Sequence, residues 1–257
     1  MKTFILVIIV FGNMQINIFP QSVYSTDMEK DIFIGFVSLG AGLTPFFINK
    51  EPNSIPVSPD KNEMNAFDRS LMFSYNKNLD ILSDYCFAYT LASLPVISVL
   101  SLEKSKNVLF TYVIMYGESL LLTYGTAFSL KNGVVRYRPY MYHDCVPNGK
   151  ENDYHNSFPS GASAFSFLGA TFLSVTFSRE FPESEWKLPV IIGAYTLAAG
   201  TGAMRILSGA HFLTDVITGA AIGSLYGWLV PYLHLNNAKS RFAVTPAPNG
   251  IMFSIRS

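Results

Sequence analysis

Three short stretches decide how this chain is read: Lys131-Asn132-Gly133-Val134-Val135-Arg136-Tyr137-Arg138-Pro139, then Pro159-Ser160-Gly161-Ala162, then Arg205 through Ser208-Gly209-Ala210 to His211 and Asp215. Each lies at the edge of a long apolar run, so helices built from those runs would carry all three to one membrane face. Lys131, Arg138 and Arg205 are cationic donors suited to phosphate oxygens, the arginines as planar forks. Pro159-Ser160-Gly161 opens an apolar segment, so its backbone N–H groups would project from a helix N-terminus, where anions bind. His211 and Asp215 are four residues apart, which on a helix puts them on one face within mutual reach.

Working outward, the chain has 257 residues, of which 49% are hydrophobic and only 14% charged. That is too apolar for an average soluble domain, although the mean hydropathy of +0.28 is modest for a polytopic protein. Six segments are nearly free of charge: 32–48, 85–102, 107–130, 157–178, 188–204 and 216–235. Each has the length that about 30 Å of hydrocarbon requires at about 1.5 Å per residue. The expected fold is therefore all-α, a polytopic membrane bundle of about six apolar helices with the phosphate site at one face. Gly35, Gly40, Gly42 and Pro45 make the first segment the weakest span. The formal net charge is zero, so nothing points to nucleic acid or another polyanionic partner.

Residues 1–25 read as a signal peptide, with Lys2 ahead of an apolar stretch and small residues near Ser25 for cleavage; residues 26–257 then form a single helical membrane domain. Lys104, Lys106, Arg179 and Lys187 all fall on the side opposite the three stretches, which sets the site outside the cytoplasm. A cleaved signal peptide followed by six full spans would turn the site inward. The two expectations are reconciled if 32–48 enters the membrane or packs on the bundle without crossing it. Cys86 and Cys145 either share a face and pair or are two separate thiols.

Spacing carries the chemistry further. The three stretches resemble the signature of the type 2 phosphatidic acid phosphatase superfamily, which also contains acid phosphatases and vanadium haloperoxidases. Its pattern is Lys, six residues, Arg-Pro; then Pro-Ser-Gly-His; then Ser-Arg, five residues, His, three residues, Asp. The chain matches the first part completely and departs at two positions, Ala162 for the histidine and Met204 for the serine. The resemblance covers residues 107–235 in order and spacing.

That resemblance implies a phosphoric monoester hydrolase acting on a lipid phosphate or diphosphate drawn from the bilayer, with no metal or other cofactor. His211 would be the nucleophile, forming a phosphohistidine that water resolves. Asp215 would hold the ring in the tautomer that leaves the attacking nitrogen unprotonated. Lys131, Arg138, Ser160, Gly161 and Arg205 would bind the phosphate. The family's histidine at position 162 protonates the leaving oxygen, and alanine does not. Three readings follow: His155 or His143 supplies the proton, the leaving group is good enough to need none, or turnover is impaired. A non-catalytic phosphate-headgroup binding protein and a phosphotransferase with an acceptor other than water are the rival functions. Arg136 and Lys150 read as interfacial anchors. Glu118, mid-segment, is either functional or a contact between helices.

Overall fold

The computed structural model describes residues 23–48, 59–92, 106–143, 147–148, 153–236, 242–247 and 250–255. The helices are α1 (Met28–Leu43, continued by a 3-10 turn Thr44–Phe47), a short α2 (Ala66–Ser70), α3 (Lys77–Ala92), α4 (Lys106–Gly133), α5 (Gly161–Glu180), α6 (Lys187–Leu207) and α7 (Leu213–Leu233). An antiparallel hairpin, β1 (Phe242–Ala247) and β2 (Gly250–Ile255), follows the bundle. The chain is thus an all-helical bundle with one added hairpin. Each of the six apolar segments has its helix, although the second, 85–102, continues beyond the described residues. Among the described residues, four helical segments are long and apolar enough to cross a membrane: Met28–Phe47, Gly161–Glu180, Lys187–Leu207 and Leu213–Leu233. The residues expected to form a signal peptide lie almost wholly outside the described ones, as does Cys145.

Side-chain caps fix where helices begin. The Asp27 carboxylate accepts from Lys30 N at α1, Asn76 Oδ1 accepts from Asn78 N and Leu79 N at α3, and Ser160 Oγ accepts from Ser163 N at α5. α5 is the central helix, with Ala164, Ser166, Leu168, Ala170 and Phe172 all buried. The outer helices turn large apolar groups outward, including Phe36 and Phe46 of α1, Ile192 of α6 and Trp228 of α7. Such a belt belongs in hydrocarbon rather than water.

α5 and α7 approach so closely because Gly219, Gly223 and Gly227 present no side chain to the α5 backbone. A Cβ on Gly223 would lie 1.8 Å from the Ala164 carbonyl oxygen, and one on Gly219 would lie 2.3 Å from that of Ser160. Either would push the helices apart at the point where α5 starts the phosphate-binding stretch. Gly223→Ala is therefore expected to destabilise the protein by about 1–3 kcal/mol, seen as a lower Tm in detergent. Gly200→Ala, whose Cβ meets nothing within 4 Å, should leave Tm unchanged or raise it. Equal effects of the two substitutions would contradict this packing.

α1 runs alongside α4 over the height of the bundle. At one end Lys30 Nζ donates to the Leu233 carbonyl, and at the other Asn132 Nδ2 donates to the Pro45 carbonyl. α1 and α4 come close at glycines: a Cβ on Gly125 of α4 would lie 2.0 Å from the Ala41 carbonyl oxygen and one on Gly42 would lie 3.1 Å from Leu121 Cδ2, whereas one on Gly40 would meet nothing within 4 Å. The segment thus does not stop short of crossing the bundle. Its N-terminal end lies at the end of the bundle opposite the three stretches, so the helix runs the height of the bundle. At that far end His234 Nε2 sits 3.2 Å from Asp31 Oδ1 and 3.5 Å from Glu118 Oε2. Glu118 is therefore a contact joining α4 to α1 and the end of α7, remote from the candidate site.

Candidate active site

Four helix ends meet at one end of the bundle: the C-termini of α4 and α6 and the N-termini of α5 and α7. Lys131 comes from the last turn of α4. The chain then runs extended through 134–138 against 153–157, with Arg136 N donating to His155 O at 3.2 Å, Ser157 N to Arg136 O at 3.0 Å and Arg138 N to Tyr154 O at 2.8 Å. This pairing carries Arg138 over the site. α6 ends at Ser208 and Gly209, whose φ of 70° is the left-handed turn that favours glycine. A Cβ there would also strike the Phe73 carbonyl oxygen at 2.5 Å, because the 72–76 loop lies across the turn. The turn delivers His211, and Phe212 then starts α7.

His211 is almost completely buried, and its ring is held at both nitrogens. Nδ1 lies 2.7 Å from the Ser157 carbonyl oxygen. A carbonyl only accepts, so Nδ1 carries the proton and Nε2 presents its lone pair. Arg138 Nη1 lies 3.1 Å from that Nε2. Burial, followed by the charges of Arg138, Arg205 and Lys131, pushes the ring's pKa well below 6.5, so it is neutral at neutral pH.

Asp215 reaches the ring at one remove. Its Oδ2 is 3.6 Å from Nδ1, beyond hydrogen-bonding distance. The same oxygen accepts from Ser157 Oγ at 2.5 Å and from Phe212 N at 2.9 Å. The carboxylate thus fixes Ser157, and the Ser157 carbonyl fixes the tautomer. The direct Asp215–His211 hydrogen bond suggested by the four-residue spacing is replaced by this relay, because Nδ1 already donates to the backbone.

The cations are matched by carboxylates. Arg138 donates from Nη2 to Asp153 Oδ2 at 2.7 Å, from Nε to Asp153 O at 2.9 Å and from Nη1 to Ala210 O at 2.8 Å. Arg205 Nη1 donates to Asp80 Oδ1 at 2.6 Å and to Ser83 Oγ at 3.0 Å. Lys131 Nζ donates to Asn156 O at 2.8 Å. Ser160 Oγ accepts from the Ser163 hydroxyl at 2.9 Å, so its own proton is available to donate, and its N–H donates to Asp215 O at 3.0 Å. Gly161 is the first residue of α5 and Ala162 the second, beside Ser160.

Arg136 does not anchor the interface. It pairs with the Asp215 carboxylate, with Asp68 Oδ2 at 2.5 Å and with Thr214 Oγ1 at 2.8 Å, and its guanidinium lies 4.6 Å from the Phe212 ring centroid. Buried Asp68 also accepts from Thr214 N, Thr214 Oγ1 and Asn65. Burial alone would raise the Asp68 pKa, but the bonds from Thr214, Arg136 and Asn65 outweigh it and hold the carboxyl below its ordinary value. Asp68, Asp80, Asp153 and Arg136 are the site residues that sequence reasoning missed. One signal was present: several cations in an apolar chain of zero net charge require nearby carboxylates. His143 ends the 3-10 turn Pro139–His143 and is exposed, whereas His155 is buried with its ring edge-on to Tyr154 at 4.9 Å. Lys150 lies outside the described residues.

The model of the PAP2 superfamily matches residues 112–239, the stretch that contributes all four helix ends. Residues 112–239 belong to the PAP2 superfamily. Among curated relatives, the chain is 27% identical to the lipid A 1-phosphatase of Porphyromonas gingivalis over 53% of this chain and 29% of that protein. It is 30% identical to lipid phosphate phosphatase 1 of Arabidopsis thaliana over 51% of this chain and 52% of that protein. The matches therefore span about half or less of these relatives' own length. A crystal structure described as the first transmembrane PAP2 type phosphatidylglycerolphosphate phosphatase from Bacillus subtilis superposes with a TM-score of 0.47 at 22% identity, covering 79% of this chain and 94% of that one.

Proposed function

We propose that the chain is a membrane phosphatase that hydrolyses a lipid phosphate or diphosphate through a phosphohistidine at His211. The observation that carries this reading is the neutral, buried imidazole whose Nε2 lone pair faces Arg138 while Nδ1–H is fixed on the Ser157 carbonyl. Nε2 attacks phosphorus, the N–P bond forms and the bond to the leaving oxygen breaks. Water then attacks phosphorus, the N–P bond breaks, and neutral His211 and inorganic phosphate result. Lys131, Arg138, Arg205, the Ser160 hydroxyl and the Gly161 N–H stabilise charge on the phosphoryl oxygens. Asp215 acts through Ser157 to keep Nδ1 protonated, and Arg136, itself paired with Asp68, holds Asp215. The relatives named lipid A 1-phosphatase and lipid phosphate phosphatase support a lipid substrate.

Ala162 favours a second reading, a protein that binds phosphate headgroups without turnover. A phosphotransferase using the same intermediate is a third. Phosphate release from a panel of lipid phosphates and diphosphates, with and without an acceptor alcohol, separates them. The first reading gives free phosphate unaffected by the alcohol, the second gives none, and the third gives phosphoryl alcohol. We place the site on the outer face, since the opposite end carries Lys106, Arg179 and Lys187. If α1 also crosses the membrane, an outer site puts Met28 on the cytoplasmic side, an arrangement that a cleaved signal peptide at residues 1–25 does not allow. The same assay on intact cells with a membrane-impermeant phosphate ester supports an outer site if phosphate is released and opposes it if lysis is required.

A further inference from the structure

Tyr140 is a buried tyrosine whose hydroxyl has no hydrogen-bond partner among the described residues. It is 1% exposed and sits in an apolar cluster with Met64, Tyr142, Tyr154 and Phe212. A buried phenol is normally hydrogen-bonded, and phenylalanine would fill the same space without the cost of a desolvated O–H. Its surroundings are those of the active site. Tyr140 N donates to Gly209 O at 3.2 Å, tying it to the turn that delivers His211. Its ring meets Tyr75 edge-on at 5.8 Å between centroids, and the Tyr75 hydroxyl donates to Asp80 Oδ2 at 3.0 Å, the carboxylate that holds Arg205. Two residues back along the chain, Arg138 pairs with Asp153 at 2.7 Å. The orphaned hydroxyl thus belongs to a residue tied to both arginine–aspartate pairs of the site, to Arg205–Asp80 through Tyr75 and to Arg138–Asp153 two positions back along the chain.

We propose that the Tyr140 hydroxyl is an additional substrate ligand, donating its hydrogen to a phosphoryl oxygen held between Arg138 and Arg205. This rests on the reading of the site as a phosphate site and adds a residue to it that no motif marks. Burial pushes the phenol's pKa above its ordinary value, so the group remains a hydrogen-bond donor throughout the working pH range and transfers no proton. It therefore serves binding rather than acid catalysis and does not substitute for the acid missing at Ala162.

The test is inorganic phosphate titrated against thermal unfolding of the full chain in detergent, for the parent, Tyr140→Phe and Arg138→Ala. Tyr140→Phe keeps the ring, so without phosphate its Tm should equal or exceed that of the parent. Its phosphate affinity should fall about ten-fold or more, the scale of a hydrogen bond to a charged group. Its KM should rise by a similar factor while kcat changes little. Arg138→Ala should also lose the phosphate response. Unchanged phosphate affinity in Tyr140→Phe, with the response lost in Arg138→Ala, overturns the Tyr140 assignment and leaves the site reading standing. A lower phosphate-free Tm in Tyr140→Phe also overturns it, by revealing an internal partner. No phosphate response in the parent overturns both.

Discussion

His211→Ala is expected to reduce phosphate release by about 10⁴-fold or more, the scale on which enzymes lose rate when a nucleophile is removed. The tautomer leaves the Nε2 lone pair for attack once the phosphate draws the Arg138 N–H away from it, and nothing else in the three stretches replaces it. The Ser157 carbonyl holds the proton on Nδ1, and burial with three nearby cations keeps the ring neutral. The substitution leaves Arg138, Arg205 and Lys131 in place, so phosphate should still stabilise the variant against heat. Lost turnover with retained phosphate binding separates a missing nucleophile from a collapsed site. Retained turnover would mean that His211 does not attack. Kinetics on a lipid phosphate and a phosphate titration of Tm, both on the same preparation, give the two readings.

The second large effect is a gain. Ala162 is the second residue of α5, next to the Ser160 that caps the helix. In-line displacement puts the leaving oxygen on the face of phosphorus opposite His211, and a histidine at position 162 would lean over that face. Ala162→His is therefore expected to raise phosphate release from an alkyl phosphomonoester by about ten-fold or more, since positioned acid catalysis is worth roughly 10²–10⁴-fold. The gain should be smaller for a nitrophenyl ester or a diphosphate, whose leaving groups need little protonation. A parent already fast on the alkyl ester and unchanged by the added histidine would point to another acid. Variants of His155 and His143 would then identify it, with buried His155 the first to make.

Much of this architecture was legible in the sequence because helices of uniform polarity advertise themselves. The runs that became α4 to α7 are bounded by the motif residues, and their ends had to converge for the motifs to meet. Long-range pairing was not legible. Asp80 finds Arg205 from 125 residues away, and Asp68 finds Arg136 across 68 residues, with no periodicity to signal either. Arg136 was read as an interfacial anchor because its position at a helix end fits that role equally well. Only the fold shows it facing two carboxylates. Gly42, which weakens its segment as a span, and Gly125, which carries no signal in the sequence, are where α1 and α4 come together.

The claim at the centre of the account is a covalent bond between His211 Nε2 and phosphorus. Rapid mixing of the purified chain with a lipid phosphate, an alkaline quench that preserves phosphoramidates, and mass spectrometry of the peptide containing His211 measures it most directly. The account predicts one phosphoryl group on His211 that appears before free phosphate, decays as phosphate is released, and is absent from His211→Ala. Phosphate release at full rate with no phosphoryl group on His211 at any time would contradict it.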